Sequence, residues 1–157
     1  MIDIEIEAAG WAAASPDVED LVRLAAQAAL SAVDRGDGAE EGVVVLLTDD
    51  AAVKDLNGRF RGQDKPTNVL SFPAPANPEH HLGDVALAFE TCAREADEQG
   101  KPLARHLQHL VAHGVLHLLG YDHMNDVEAE EMESLERVIL AGLGVPDPYA
   151  AEQGDHG

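Results

Sequence analysis

Cysteine is nearly absent from this 157-residue chain. Cys92 stands alone, so no disulfide can close within the chain and no cysteine-based zinc knuckle can form, which fits a reducing cytoplasm. The thiol reads as a buried packing residue. Aromatics are also scarce, with one tryptophan, two tyrosines and three phenylalanines. That excludes a broad base-stacking platform and, with it, strong sequence-specific readout of a nucleic acid. No apolar run approaches transmembrane length. The opening "MIDIEIEAAG" is acidic and alternating, without the basic start and apolar run of a secretory signal. The expectation is a cytoplasmic protein with no membrane segment.

Basic residues are the third shortage. Ten lysines and arginines face thirty acids, a formal charge of -20 at pH 7, and so much carboxylate repels a phosphate backbone. The distribution qualifies this: Lys54, Arg59, Arg61 and Lys65 fall within twelve positions, while the acids crowd the N-terminal region, the segment from Asp126 to Glu136, and the tail. Spacing alone leaves two readings of that cluster, a basic patch on an acidic body or a solvated helix end. The length suits one domain with a sizeable core. No repeat or linker divides the chain, and the expected domain runs over 1–147, with 148–157 as a tail.

"IDIEIE" alternates with period two and puts Ile2, Ile4 and Ile6 on one face of a half-buried strand. "SPDVEDLVRLAAQAALSAVD" reads as an amphipathic helix with Ser15 as N-cap and Pro16 in its first turn. "GVVVLLT" suggests a central strand covered on both faces, after which Thr48 caps a helix carrying Val53, Leu56, Asn57 and Phe60 on one side and stopping near Gly62. "NVLSF" and "GDVALAF" predict two more strands, separated by a proline-rich loop that holds His80 and His81. Helices follow from about Glu90, from Pro102 to Leu119, and from Asp126 to Ala141. The fold class is α+β, a small mixed sheet of about four strands packed against helices.

"HGVLHLLGYDH" holds three histidines in eleven residues. His113 and His117, four apart on a helix, project from the same face and can share one ion. Gly120 supplies a helix-ending conformation, and the chain turns through Tyr121 and Asp122 to deliver His123 as a third nitrogen. His106 and His109 lie roughly on the same side. At about 1.5 Å rise per residue, however, His109 is about 12 Å along the axis from His117, too far to join it. His109 is expected behind the site or in the core, and His106 partly exposed. Three protein ligands leave a position open, as in catalytic rather than structural zinc sites. Helical "HExxH" peptidases carry a glutamate general base directly after the first histidine, and here that position is Gly114.

"HGVLHLLGYDH", "LNGRFRGQDKPTNVLSFP" and "LGDVALA" together resemble the YbeY family, bacterial metal-dependent endoribonucleases implicated in ribosomal RNA maturation and ribosome quality control. The likeness spans nearly the whole chain. It implies a zincin-like fold and one Zn2+ per chain on His113, His117 and His123. It also implies a functional arginine at Arg61; beside it Arg59 is read as supporting charge only, and Lys65 as holding a neighbouring substrate phosphate. The substrate implied is single-stranded or ribosomal RNA, with ribosomal proteins or other ribonucleases as partners and 16S rRNA 3′-end maturation as the task. DNA is not expected as a substrate. Asp122 has two readings, an orienting partner of a ligand histidine or a simple turn residue. Two rival functions stand beside the endoribonuclease: a zinc hydrolase of another substrate such as a peptide, and a non-catalytic ribosome-assembly factor stapled by zinc.

Overall fold

The structure, a computed structural model, describes residues 2–32, 42–62, 67–75, 81–121 and 125–145, without the side chain of Arg61. His80, Lys65, Asp122, His123, His156 and the tail therefore lie outside the described residues.

Strand β1 (Ile2–Ile6) runs parallel to β2 (Gly42–Thr48), and β2 runs parallel to β4 (His81–Ala88). Strand β3 (Val69–Pro73) turns back antiparallel to β4 and forms an edge, giving the order β1-β2-β4-β3. This is the mixed four-stranded α+β sheet that the sequence predicts. The β-branched run of β2 sits inside it, with Val43, Val45 and Leu47 fully buried, because a strand with neighbours on both sides and cover on both faces excludes water.

Among the described residues six helices accompany the sheet: α1 (Ala9–Ala14), α2 (Val18–Ala32), α3 (Asp50–Arg61), α4 (Phe89–Glu98), α5 (Leu103–Leu118) and α6 (Asp126–Gly142). Helix α5 lies against β3 and β4 on one face of the sheet, hemmed in by α2, α4 and α6. Its enclosure explains why Leu107, Val111, Ala112, Val115 and Leu116 are almost completely buried, joined with Val43, Val45, Leu47, Val85 and Leu87 in the main core. The opposite face carries a smaller cluster under α3, made by Val53, Leu70 and Ala88 with Leu56 and Phe72 beside them. The starts of α3 and α4 brace each other. Asp50 accepts from the Thr91 N–H at 3.0 Å and hydroxyl at 2.9 Å, and Glu90 accepts from the Asp50 N–H at 2.9 Å.

Several local expectations are corrected. Ser15 does not cap α2. It ends α1, a helix not predicted, and the chain turns through Pro16 before α2 starts at Val18. Helix α1 is held by Trp11, whose indole N–H donates to the Thr48 carbonyl at 2.9 Å and whose ring meets Phe89 edge-on. The cap of α3 is Asp49 rather than Thr48, because the Asp49 carboxylate accepts from the Ala52 N–H at 2.9 Å. His81 belongs to β4, not to the preceding loop, and Phe89 starts α4 instead of ending the strand. On β1 the alternation holds, but at the sheet's edge cover gives out, so Ile2 is buried and Ile6 is exposed. Phe60 leaves the apolar side of α3 and is 64% exposed.

Candidate functional site

Helix α5 carries two of the three expected ligands. His113 Nε2 and His117 Nε2 face each other at 3.1 Å, with ring centroids 4.6 Å apart. The i, i+4 spacing sets the two imidazoles on one side of the helix, as expected. Behind them stands Glu136 from α6, fully buried, with Oε1 2.5 Å from His113 Nδ1 and Oε2 3.6 Å from His109 Nε2. With Nδ1–H donating to that carboxylate, His113 leaves Nε2 facing His117. That is how a carboxylate orients a metal-binding imidazole.

The donor set fits a zinc ion. Two nitrogens each about 2.1 Å from one tetrahedral ion stand about 3.4 Å apart, close to the separation here, and imidazole suits zinc among the first-row metals. Among the described residues no group of three or more His, Cys, Asp or Glu is arranged around one point. The third expected ligand, His123, lies outside the described residues.

The end of α5 has the predicted form. The Gly120 N–H donates to the His117 carbonyl at 3.1 Å, the Tyr121 N–H reaches back to Leu116 at 3.0 Å, and Gly120 has φ +100°, which a side chain would resist. The next described residue, Asn125, caps α6 by accepting from the Glu128 N–H at 2.9 Å.

Gly114 is packed, not merely vacant. A Cβ there would lie 2.8 Å from Val85 Cγ1 and 3.2 Å from Ser71 Oγ, and that hydroxyl donates to the Gly114 carbonyl at 3.0 Å. The position that holds the base in helical "HExxH" peptidases therefore points into the sheet, with no room for a side chain.

Two histidines come out differently. His109 sits behind the pair, against Glu136, as expected. His106 is not partly exposed but buried, with Nε2 3.0 Å from Glu95 Oε1 and Nδ1 enclosed without a hydrogen-bond partner among the described residues. Burial holds its pKa below the usual 6.5, against the opposing pull of Glu95. The reason is α4, which packs over the start of α5 and covers the ring. Glu95 also accepts from Asn68 Nδ2 at 3.0 Å, while Asn68 Oδ1 takes the Val69 N–H at 2.7 Å. This chain of bonds ties the start of β3, just past the segment containing Lys65, to the histidine helix. Neither Asn68 nor Glu136 was identified from sequence. The one signal for Glu136 was its spacing from Met132 and Ile139, which places a carboxylate on the apolar side of α6.

Of the basic cluster, Arg61 ends α3, and Lys65 lies outside the described residues. Arg59 is exposed, 3.3 Å from Asp55, with its guanidinium 5.8 Å from the centre of the Phe60 ring. Cys92 is buried as expected, which pushes its thiol pKa far above the ordinary value and leaves it unsuited to metal binding. No described helix is long and apolar enough to cross a membrane.

A family model described as "Endoribonuclease YbeY" matches residues 4–144. "Endoribonuclease YbeY" of Paramagnetospirillum magneticum is 54% identical over 159 residues, 96% of each chain. That of Bradyrhizobium diazoefficiens is 55% identical over 150 residues, 90% of this chain and 81% of the relative. The solution structure of TM1509 from Thermotoga maritima superposes with a TM-score of 0.58 at 27% identity, over 91% of both chains. The match across nearly the whole described chain, with the paired histidines on its central helix, makes this protein a member of the YbeY family of metal-dependent endoribonucleases.

Proposed function

We propose that this protein is a zinc-dependent endoribonuclease that prefers single-stranded RNA and acts in 16S rRNA 3′-end maturation and ribosome quality control. The observation that carries the reading is the convergence of His113 Nε2 and His117 Nε2 at 3.1 Å, with a buried carboxylate fixing the first ring from behind. His123 is the third ligand in this proposal. A zinc ion held there supplies Lewis acidity toward water and phosphate at neutral pH.

The chain's own residues do the rest. Arg61, at the end of α3, offers paired N–H donors to the scissile phosphate as negative charge builds on it. Lys65 holds an adjacent phosphate as a point charge. His113 and His117 keep their nitrogens aimed at one point, and Glu136 prevents the first ring from turning away. One catalytic domain covers 1–147, and 148–157 forms a tail. The protein works in the cytoplasm. With so acidic a body its unaided affinity for RNA is low and salt-dependent, so ribosomal proteins or partner ribonucleases deliver the substrate. The packing of Gly114 disfavours a peptidase, and the fourth position that a three-histidine set would leave open disfavours a purely structural zinc.

Cleavage assays on single-stranded RNA and on casein, with and without chelator, test the reading. RNA alone should be cut, and chelator should abolish the cut. Cleavage of casein in place of RNA would overturn it. Arg61→Ala should keep zinc content and melting temperature while lowering cleavage by roughly two to three orders of magnitude, the scale of one lost transition-state donor. Arg61→Lys should recover little, since lysine cannot present two parallel donors. If Arg59→Ala abolished cleavage and Arg61→Ala did not, the assignment of the phosphate-binding arginine would be wrong.

A further inference from the structure

Among the described residues Phe60 is the one exposed aromatic side chain. In a chain with six aromatic residues, one ring stands 64% exposed at the end of the helix that carries Arg61. It meets Phe72 of β3 edge-on, with ring centroids 5.6 Å apart and planes 64° apart. The Arg59 guanidinium lies 5.8 Å from its centre. Phe72 and Arg59 cover only part of the ring, so open aromatic surface remains beside a cation. The ion pair of Arg59 with Asp55 is exposed on both partners, at 66% and 65%, and holds that cation only weakly.

The position of this pair relative to the histidines follows from the alternation of β3. Ser71 points to α5, where its hydroxyl meets Gly114 beside His113. Phe72, one residue on, points to the opposite face, with Leu70 and Val53 under α3. Both sites lie at the same end of the strand. A Cβ on Gly83 would touch the Phe72 carbonyl at 2.5 Å and Leu118, the neighbour of His117, at 2.7 Å. β3 is the sheet's edge, and its two faces carry Ser71 against the histidine helix and Phe72 against Phe60.

We infer that Phe60, backed by Phe72, is a stacking subsite for an unpaired nucleobase of the RNA, a few nucleotides from the scissile phosphate and across the edge of β3. The inference rests on the endoribonuclease reading above. An RNA strand whose phosphate sits at the histidines crosses that edge, and a base on its far side meets the Phe60 ring while Arg59 lies near the flanking phosphate. Stacking needs no charge and tolerates every base, so it supplies affinity that a body of net charge -20 cannot obtain from phosphate contacts alone. Paired bases present no open face, so the subsite selects single strands. Because it lies away from the reacting atoms, it acts on KM and not on kcat.

The test is steady-state cleavage of a single-stranded oligoribonucleotide by the metal-loaded protein. Phe60→Ala should raise KM by about five- to a hundredfold, the range for one lost base stack, with kcat changed less than about twofold. Phe60→Leu keeps apolar cover over Phe72 without a ring face and should show the same rise. Phe60→Trp should hold or lower KM. Val138→Ala, removing another exposed apolar residue on α6 (68% exposed), should leave KM unchanged. A series of oligonucleotides with one abasic site each should show one or two positions where base loss weakens wild type but not Phe60→Ala. If wild type cuts RNA while KM is the same for Phe60→Ala, or while Phe60→Leu behaves as wild type, the subsite does not exist. If wild type cuts no RNA at all, the endoribonuclease reading itself fails.

Discussion

Two of the histidine–carboxylate pairs on helix α5, His106 with Glu95 and His113 with Glu136, use opposite nitrogens of the ring. His106 engages Glu95 through Nε2, its outer nitrogen, and its Nδ1 is enclosed by protein. His113 engages Glu136 through Nδ1 and so keeps Nε2 for His117. A histidine is a strut or a candidate ligand according to which of its nitrogens the carboxylate takes. The carboxylate that takes the inner one comes from α6, behind the helix, and that from α4 sits over the outer one. Sequence spacing puts all four histidines of α5 on one side, and tertiary packing then divides their roles.

The largest effect that would sharpen this contrast is on the ligand side. His117→Ala should lose bound metal and lower cleavage by roughly three orders of magnitude or more, with far-UV circular dichroism unchanged. Retained metal at full stoichiometry would break the distinction at once. Next comes the carboxylate that aims the ligand. Glu136→Ala should weaken metal affinity about 10- to 100-fold in a competition titration with a zinc chelator, the usual cost of removing an orienting partner. Equal affinity would make Glu136 a strut like Glu95. On the other side of the comparison, His106→Ala should lower unfolding free energy by about 2–3 kcal/mol in urea while metal content stays unchanged, because it opens a buried site and strips Glu95 of one partner. The smallest effect concerns pH. Burial holds the pKa of His106 below 6.5, so the unfolded chain takes up a proton there before the folded protein does. Stability should therefore fall as pH drops below about 6.5 and level off below the folded-state pKa. The slope belonging to His106 is the difference between wild type and His106→Gln, measured without metal at several pH values. No difference in slope would mean that the ring titrates normally and is not closed off.

Much of the fold was legible in the sequence because local chemistry and tertiary packing agree there. The β-branched run of β2 is a central strand, Gly62 and Gly120 end their helices, and the i, i+4 pair converges. Disagreement arose where a neighbour decides the outcome. Ser15 followed by Pro16 looks like a helix start, but Trp11 needs the Thr48 carbonyl and winds α1 first. His106 looked half-exposed until α4 covered it. Glu136 sits within an acidic run that reads as solvated, and only the proximity of α5 to α6 shows that this one carboxylate turns inward while Glu130, Glu131 and Glu133 do not. Long-range partners of buried polar groups leave little periodic trace, so the residues that orient a side chain are harder to read than the candidate ligands themselves.

The tight seat of Gly114 bears on how this scaffold can diverge. A lineage moving toward peptide hydrolysis would need an acidic side chain beside the first histidine, where even one added carbon falls 2.8 Å from Val85. Glycine to glutamate alone would drive a carboxylate into an apolar contact between helix and sheet, destabilising the protein before any new chemistry appeared. Trimming Val85 first would open a void in β4 with no benefit to offset it. Both single steps lead downhill in stability, so the neighbouring chemistry is reachable only through simultaneous change. A distance between one helix and one strand thus acts as an evolutionary barrier, and a designer wishing to cross it would begin by respacing α5 and β4, not by editing the histidines.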